Sequence, residues 1–204
     1  MWGFGHSDGV GPVPSDVDCL GRSLVEPRAF ELIFDRHFAP VHRYLHRRVG
    51  GDLADELAAQ TFVVAFERRA SCRASGSALP WLYGIATNLL RRRRRAEGRR
   101  LKAYARTGVD RSVTYEDEAV ERVDDAALGP QLARALAMMR PRERDALLLY
   151  ALAELSYNEI ALALDVPVGT VRSWLHRARE VAQRELASDA DVFPLATSGA
   201  DLHG

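Results

Sequence analysis

The segment SYNEIALALDVPVGTVRSWLHRAR, Ser156 to Arg179, sets hydroxyl, imidazole and guanidinium groups along one side of a patterned helix. Val171, Leu175 and Ala178 recur at spacings of four and three, which predicts a buried stripe. Thr170, Arg172, Ser173, His176, Arg177 and Arg179 fall outside that stripe and face solvent. Arginine donates two parallel hydrogen bonds to guanine and also grips phosphates, so such a face suits the major groove of DNA. The element in front of it is marked by Ser156 and Glu159, which fit a capping box, and by the apolar Ile160, Ala161 and Leu164. Asp165 stands at the turn, where helix-turn-helix units often carry glycine; aspartate tolerates left-handed backbone better than most residues. Pro167 then favours a new helix start. The segment predicts a DNA-reading helix-turn-helix.

The elements that position it are helical throughout. Phe30, Ile33, Phe34, His37 and Phe38 share a face, continued by Val41, Tyr44, Leu45 and Val49 beyond Pro40, which predicts a kink or restart. Gly50-Gly51 ends that unit and Asp52 is positioned to cap the next. Leu53, Leu57, Ala58, Thr61, Phe62, Ala65 and Phe66 make an amphipathic stripe. A serine-rich loop, Ser71 to Ser77, precedes LPWLYGIATNLLRRRRR, Leu79 to Arg95. Further on, Leu132, Leu136 and Met139 restart the periodicity, and Pro141 opens a helix carrying Ala146, Leu147, Tyr150 and Ala151. No strand pattern occurs. The expected fold is all-α, with two small helical domains joined by a charged flexible linker. The expected boundaries are a disordered extension over 1–27, a first domain over 28–95, a linker over 96–130, a helix-turn-helix domain over 131–187 and a tail over 188–204.

Charge is neutral in total and segregated in detail. The chain has 28 basic and 28 acidic residues among 204. Arg91 to Lys102 holds eight basic residues against the single Glu97, whereas Asp110 to Asp125 holds seven acidic residues against two arginines. Like charges as dense as Arg91–Arg95 repel unless a polyanion neutralises them, which points to phosphate contact. Trp81 and Asn88 on the same helix have the chemistry to stack on or bond to unpaired bases. Cys19 and Cys72 lack the spacing of a zinc site or a disulfide framework, and a reducing, cytoplasmic setting follows. No apolar run approaches the ~20 residues of a membrane span, so no membrane insertion is expected. The six histidines form no metal-ligand set, and His42 and His46 read as helix surface. With no nucleophile beside general-acid groups, the chain is expected to be no enzyme and to need no cofactor or metal.

Two stretches carry a family likeness. ADELAAQTFVVAFE (Ala54 to Glu67), with the serine loop and PWLYGIATNLLRRRRR, resembles region 2 of bacterial RNA polymerase sigma factors of the extracytoplasmic-function (ECF) type. Leu132 to Glu180 resembles region 4 of the same family, in the right order and with a linker between. The resemblance implies a sigma factor that joins core RNA polymerase, recognises −35 and −10 promoter elements and directs initiation. Asp55, Glu56, Gln60 and Val63 would meet the β′ clamp helices, and the region 4 part the β flap. Ser75, Ser77, Trp81, Asn88, Arg91 and Arg92 would take the −10 element, and Thr170, Arg172, Ser173, His176, Arg177 and Arg179 the −35 element. Thr61 departs from the family, where glutamate is frequent. An anti-sigma factor is a partner such proteins often have. The alternative is a free-standing helix-turn-helix regulator that binds an operator without polymerase.

Overall fold

The computed structural model describes residues 13–73, 76–106 and 125–190, with side chains described at 13–73, 76–100 and 131–185. Among them are eight α-helices and no strand: α1 (Asp16–Ser23), α2 (Glu31–Val49), α3 (Gly51–Arg68), α4 (Leu79–Arg106), α5 (Asp125–Met138), α6 (Pro141–Leu152), α7 (Tyr157–Leu164) and α8 (Val168–Ala190). None of the described helices is long and apolar enough to cross a membrane.

Sequence chemistry sets most of the ends. Ser156 Oγ accepts from the Glu159 amide at 3.4 Å while the Glu159 carboxylate accepts from the Ser156 amide at 2.8 Å, so the expected capping box of α7 is present. Asp165 adopts the left-handed conformation, φ 53°, and the Val166 amide closes back on the Ala161 carbonyl at 3.0 Å. Pro141 occupies the first turn of α6. Elsewhere the ends differ from expectation. The α2 helix runs unbroken through Pro40, and α3 begins at Gly51 with no side-chain cap, so Asp52 lies inside the helix. Gly50, at φ +79°, supplies that corner, a conformation other side chains resist.

Within the expected disordered extension over 1–27, residues Asp16–Ser23 form the helix α1, while residues 1–12 lie outside the described residues. Ser15 and Asp18 form a capping box, and Cys19 and Leu20 are buried. This motif, a hydroxyl three residues before a carboxylate and then an apolar pair, is present in the sequence among glycines and prolines that favour irregular backbone. At the two ends of the expected linker over 96–130, α4 continues to Arg106 and α5 starts at Asp125; residues 107–124 lie outside the described residues. The last helix likewise runs to Ala190, past the expected start of the tail.

One apolar core runs through both halves. Ile33, Val41, Leu45, Leu57, Phe62, Leu82 and Leu90 join Leu149, Ile160, Val171 and Leu175 in a single cluster, with a second, smaller one around Leu136, Met139, Leu148 and Ala178. Phe34 is exposed and meets Phe62 edge-on, 5.0 Å between centroids. Tyr150 and Ala151 also face outward rather than core-ward. The apolar stripe of α6 is rotated because Asp145, a polar residue, takes a core position beside Ala146, Leu148 and Leu149.

The seam between the halves is the contact of α4 with α7. Gly84 is fully enclosed there, and a Cβ on it would stand 2.2 Å from the Ala163 carbonyl oxygen. A glycine inside a helix costs about 1 kcal/mol against alanine, so close packing is its compensation. Gly84→Ala should therefore lower unfolding stability by about 1–3 kcal/mol and increase the radius of gyration, with helical circular dichroism unchanged. An unchanged radius of gyration with raised stability would contradict this account of the seam.

Candidate nucleic-acid interface

The reading helix of the C-terminal half is α8. Val171, Leu175 and Ala178 are fully buried, as the spacing predicts, and hold the opposite side outward. Arg172, Ser173, His176 and Arg177 come together around one shallow groove. Ser173 Oγ donates to the Gly169 carbonyl at 3.1 Å, and His176 lies 3.5 Å from the Glu180 carboxylate. Thr170 and Arg179 stand outside this groove. Thr170 is half-buried, and Arg179 donates to the Tyr157 hydroxyl at 2.9 Å with its guanidinium over the Tyr150 ring. The four grouped residues offer one hydroxyl, one imidazole and two guanidinium groups toward a base-edge pattern.

In the N-terminal half, Trp81, Asn88 and Arg92 recur at i, i+7 and i+11 on α4, a single stripe along the helix. Asn88 and Arg92 are exposed and Trp81 is half-buried against the core. Ser77 is exposed and its Oγ accepts from the Leu79 amide at 3.2 Å, which closes the start of α4; Ser75 lies outside the described residues. The loop and this helix start are braced by α1. Asp16 accepts from the Ala78 amide at 2.8 Å, from Arg36 at 2.9 Å and faces His37 Nε2 at 2.6 Å. Burial pushes its carboxyl upward, but the Ala78 amide, Arg36 and His37 outweigh burial and hold it below the ordinary carboxylate range. Sequence reasoning missed this residue entirely.

It also missed the residue that joins the two halves. Asp145 of α6 is buried, and its two oxygens receive Arg48 of α2 at 2.8 Å and Arg91 of α4 at 2.5 Å. Arg48 is completely enclosed and also donates to the Tyr44 hydroxyl at 2.6 Å, which shares a hydrogen bond with Thr87 at 3.1 Å. Arg91, expected on DNA, is thus turned toward protein here. No local signal marks the triad, since its members lie 97 and 54 positions apart.

On α3, Asp55, Glu56, Gln60 and Val63 are all exposed on the outer side. Asp55 meets His42 Nε2 at 2.6 Å, and Glu56 accepts from Gln60 at 3.0 Å and Arg93 at 2.7 Å. Val63, 58% exposed, is an apolar spot beside these polar groups, a composition suited to protein contact. Thr61 is fully buried with its hydroxyl donating to the Leu57 carbonyl at 2.7 Å. A glutamate at that position would bring a charge into the core.

Comparison with known proteins agrees with this geometry. The profile for Sigma-70 region 2 matches residues 33–100, and that for Sigma-70 region 4 matches residues 130–180. The chain is 34% identical to the ECF RNA polymerase sigma factor SigE of Mycolicibacterium smegmatis, over 90% of this chain and 73% of that protein. It is 31% identical to the ECF RNA polymerase sigma-E factor of Escherichia coli K12, over 83% and 90% respectively. The chain belongs to the ECF sigma factors. It binds core RNA polymerase, recognises promoter elements and directs initiation, and it is no enzyme. The free-standing regulator is the less favoured reading. The fold is similar to that of CnrH in complex with the cytosolic domain of CnrY, at 20% identity and TM-score 0.61, covering 86% of this chain and 99% of that one. It is also similar to the sigma factor RpoE of Bartonella quintana, solved with the anti-sigma factor NepR, at 20% identity and TM-score 0.57, covering 79% and 99%.

The triad gives a stability prediction. Burial pushes the Asp145 carboxyl up, but the charges of Arg48 and Arg91 and their hydrogen bonds win and hold it well below the ordinary range. A lowered folded-state value stabilises the fold above the unfolded value, near 3.9, and that contribution disappears as pH falls through the folded value. The urea midpoint should hold above about pH 4 and fall below it. Asp145→Asn should cost about 3–5 kcal/mol at neutral pH, because it removes the carboxylate compensating a buried guanidinium. It should also flatten the acid limb of the profile. A loss below about 1 kcal/mol would show that the pair behaves as an exposed one.

Proposed function

We propose that the two grouped faces divide promoter reading between them. In this reading Arg172, Ser173, His176 and Arg177 lie nearest the bases of the −35 element in the duplex major groove, with Thr170 and Arg179 at the margin. The supporting observation is the groove that gathers the first four on the outward side of α8. The loop from Ser71 with Ser75 and Ser77, together with Trp81, Asn88 and Arg92, captures the −10 strand, and Arg91 joins them on release from Asp145. Flipping a base out of the stack costs a few kcal/mol, and capture of the single strand draws melting forward. Asp55, Glu56, Gln60 and Val63 form the polymerase contact on α3, which is open on its outer face. The chain works in the cytoplasm, where it meets polymerase. The working units are a region 2 part over 28–95, braced by α1, and a region 4 part over 131–187.

The arrangement described above is a closed one on this reading. Arg91 Nε is held by Asp145 at 2.5 Å, so its side chain joins the Asn88–Arg92 stripe only after that bond is exchanged. Polymerase supplies the exchange by holding the two halves apart on two surfaces. An anti-sigma factor is proposed as a further partner, on the strength of the complex in which the structurally similar sigma factor RpoE of Bartonella quintana was solved.

Run-off transcription on pooled genomic fragments, with core polymerase and with or without this protein, tests the reading. Discrete new transcripts sharing two spaced upstream elements are expected. Arg172→Ala should weaken them by about 1–3 kcal/mol in promoter binding and relax discrimination at one −35 position. Transcription by Arg172→Ala equal to wild type, in yield and in sequence preference, would remove that residue from the interface.

A further inference from the structure

The seam between the halves opens on one side into a half-enclosed cleft of about 600 Å³, which shares only Arg91 and Arg177 with the promoter reading. Three elements wall it. Arg91 and Arg95 come from α4, Arg140 and Arg142 from the turn into α6, and Trp174 and Arg177 from α8. In all it is lined by seven arginines against two carboxylates, Glu143 and Asp145. Both carboxylates are engaged, Glu143 with Arg177 at 3.3 Å and Asp145 with Arg91 and Arg48. Arg95 and Arg140 enter no ion pair among the described residues, and Arg142 sits over the Trp174 ring at 5.8 Å. So much positive charge around one concavity is self-repulsive, and a multivalent anion relieves it.

We propose that this cleft binds a compact ligand carrying several linked phosphates. The volume lies within the range of small-molecule sites, about 300–1,000 Å³. Planar guanidinium groups match phosphate oxygens in pairs, which favours phosphate over a single carboxylate. Arg177 lines both this cleft and the groove of α8, but the two differ in shape. A duplex needs an open, convex approach such as that groove offers, whereas the cleft closes around its contents from three sides. Two sources share the chemistry, inorganic polyphosphate and a nucleoside polyphosphate whose base would rest against Trp174. The ligand would bridge α4 to α6 and α8 and so hold the halves together. That consequence rests on the promoter reading; the binding itself does not.

Isothermal titration of the full chain with tripolyphosphate and, separately, with a nucleoside triphosphate tests the site. Saturable binding at one equivalent is expected, weakening with salt. Arg95→Ala with Arg140→Ala should reduce affinity about tenfold or more, since two charge-assisted contacts are lost and no ion pair among the described residues is touched. Arg28→Ala with Arg47→Ala removes the same charge from exposed positions elsewhere and should leave affinity near wild type. Tighter binding of the nucleotide by about tenfold would assign a base-bearing ligand, and equal binding would assign the phosphates alone. Absence of saturable binding by either compound would overturn the site, as would equal losses in the two double variants. A short single-stranded oligonucleotide that binds this cleft more tightly than tripolyphosphate would also overturn it, in favour of promoter backbone.

Discussion

The structure depends on one buried carboxylate. Asp145 holds Arg48 inside the N-terminal half and Arg91 at its rim, while its own helix belongs to the C-terminal half. Breaking a buried pair by removing one member costs several kcal/mol, although replacing the whole set by apolar residues often costs nothing. Such a triad is therefore better suited to specifying one arrangement than to adding stability. Around it the apolar core is continuous, and the Gly84 contact with Ala163 fixes how closely α4 and α7 approach. The two halves are thus joined by a shared apolar core and, at its edge, by a polar triad and a small-residue contact.

That arrangement also places the arginines. In the run Arg91–Arg95, each residue meets a different environment because a helix turns by about 100° per residue. Arg91 points to Asp145, Arg93 to Glu56 and Glu97, and Arg92 outward beside Asn88. A block of equal charges in sequence thus becomes a set with distinct tasks in space: one closes the seam, one braces α3, and one is left facing solvent.

The sequence disclosed what local chemistry controls. The capping box at Ser156, the left-handed Asp165 and the buried stripe of α8 all follow from residue type and spacing, and so do the outward positions of Arg172 and Ser173. What it did not disclose depends on distant partners. Asp145 looks like an ordinary surface residue of a charged helix start, and only the meeting of α2, α4 and α6 makes it a core group. The same holds for Asp16, whose three partners lie on α2 and at the start of α4. Tyr150 was expected to face the core with Leu147, yet the helix rotates to bury Asp145 and leaves that ring 43% exposed. Long-range electrostatics overrode the apolar pattern at that helix. Gly84 carried a legible hint, since glycine within a strong helix implies close approach, and so did the capping box of Ser15 and Asp18.

The central claim is that the free chain is closed at Asp145 and that polymerase opens it. Paired spin labels introduced at Ala59 on α3 and Arg184 on α8, both exposed, read this directly as a distance distribution. The account predicts a single narrow distance in the free protein and a longer one once core polymerase is added. A broad distribution in the free protein, or the same narrow distance with and without polymerase, would contradict it.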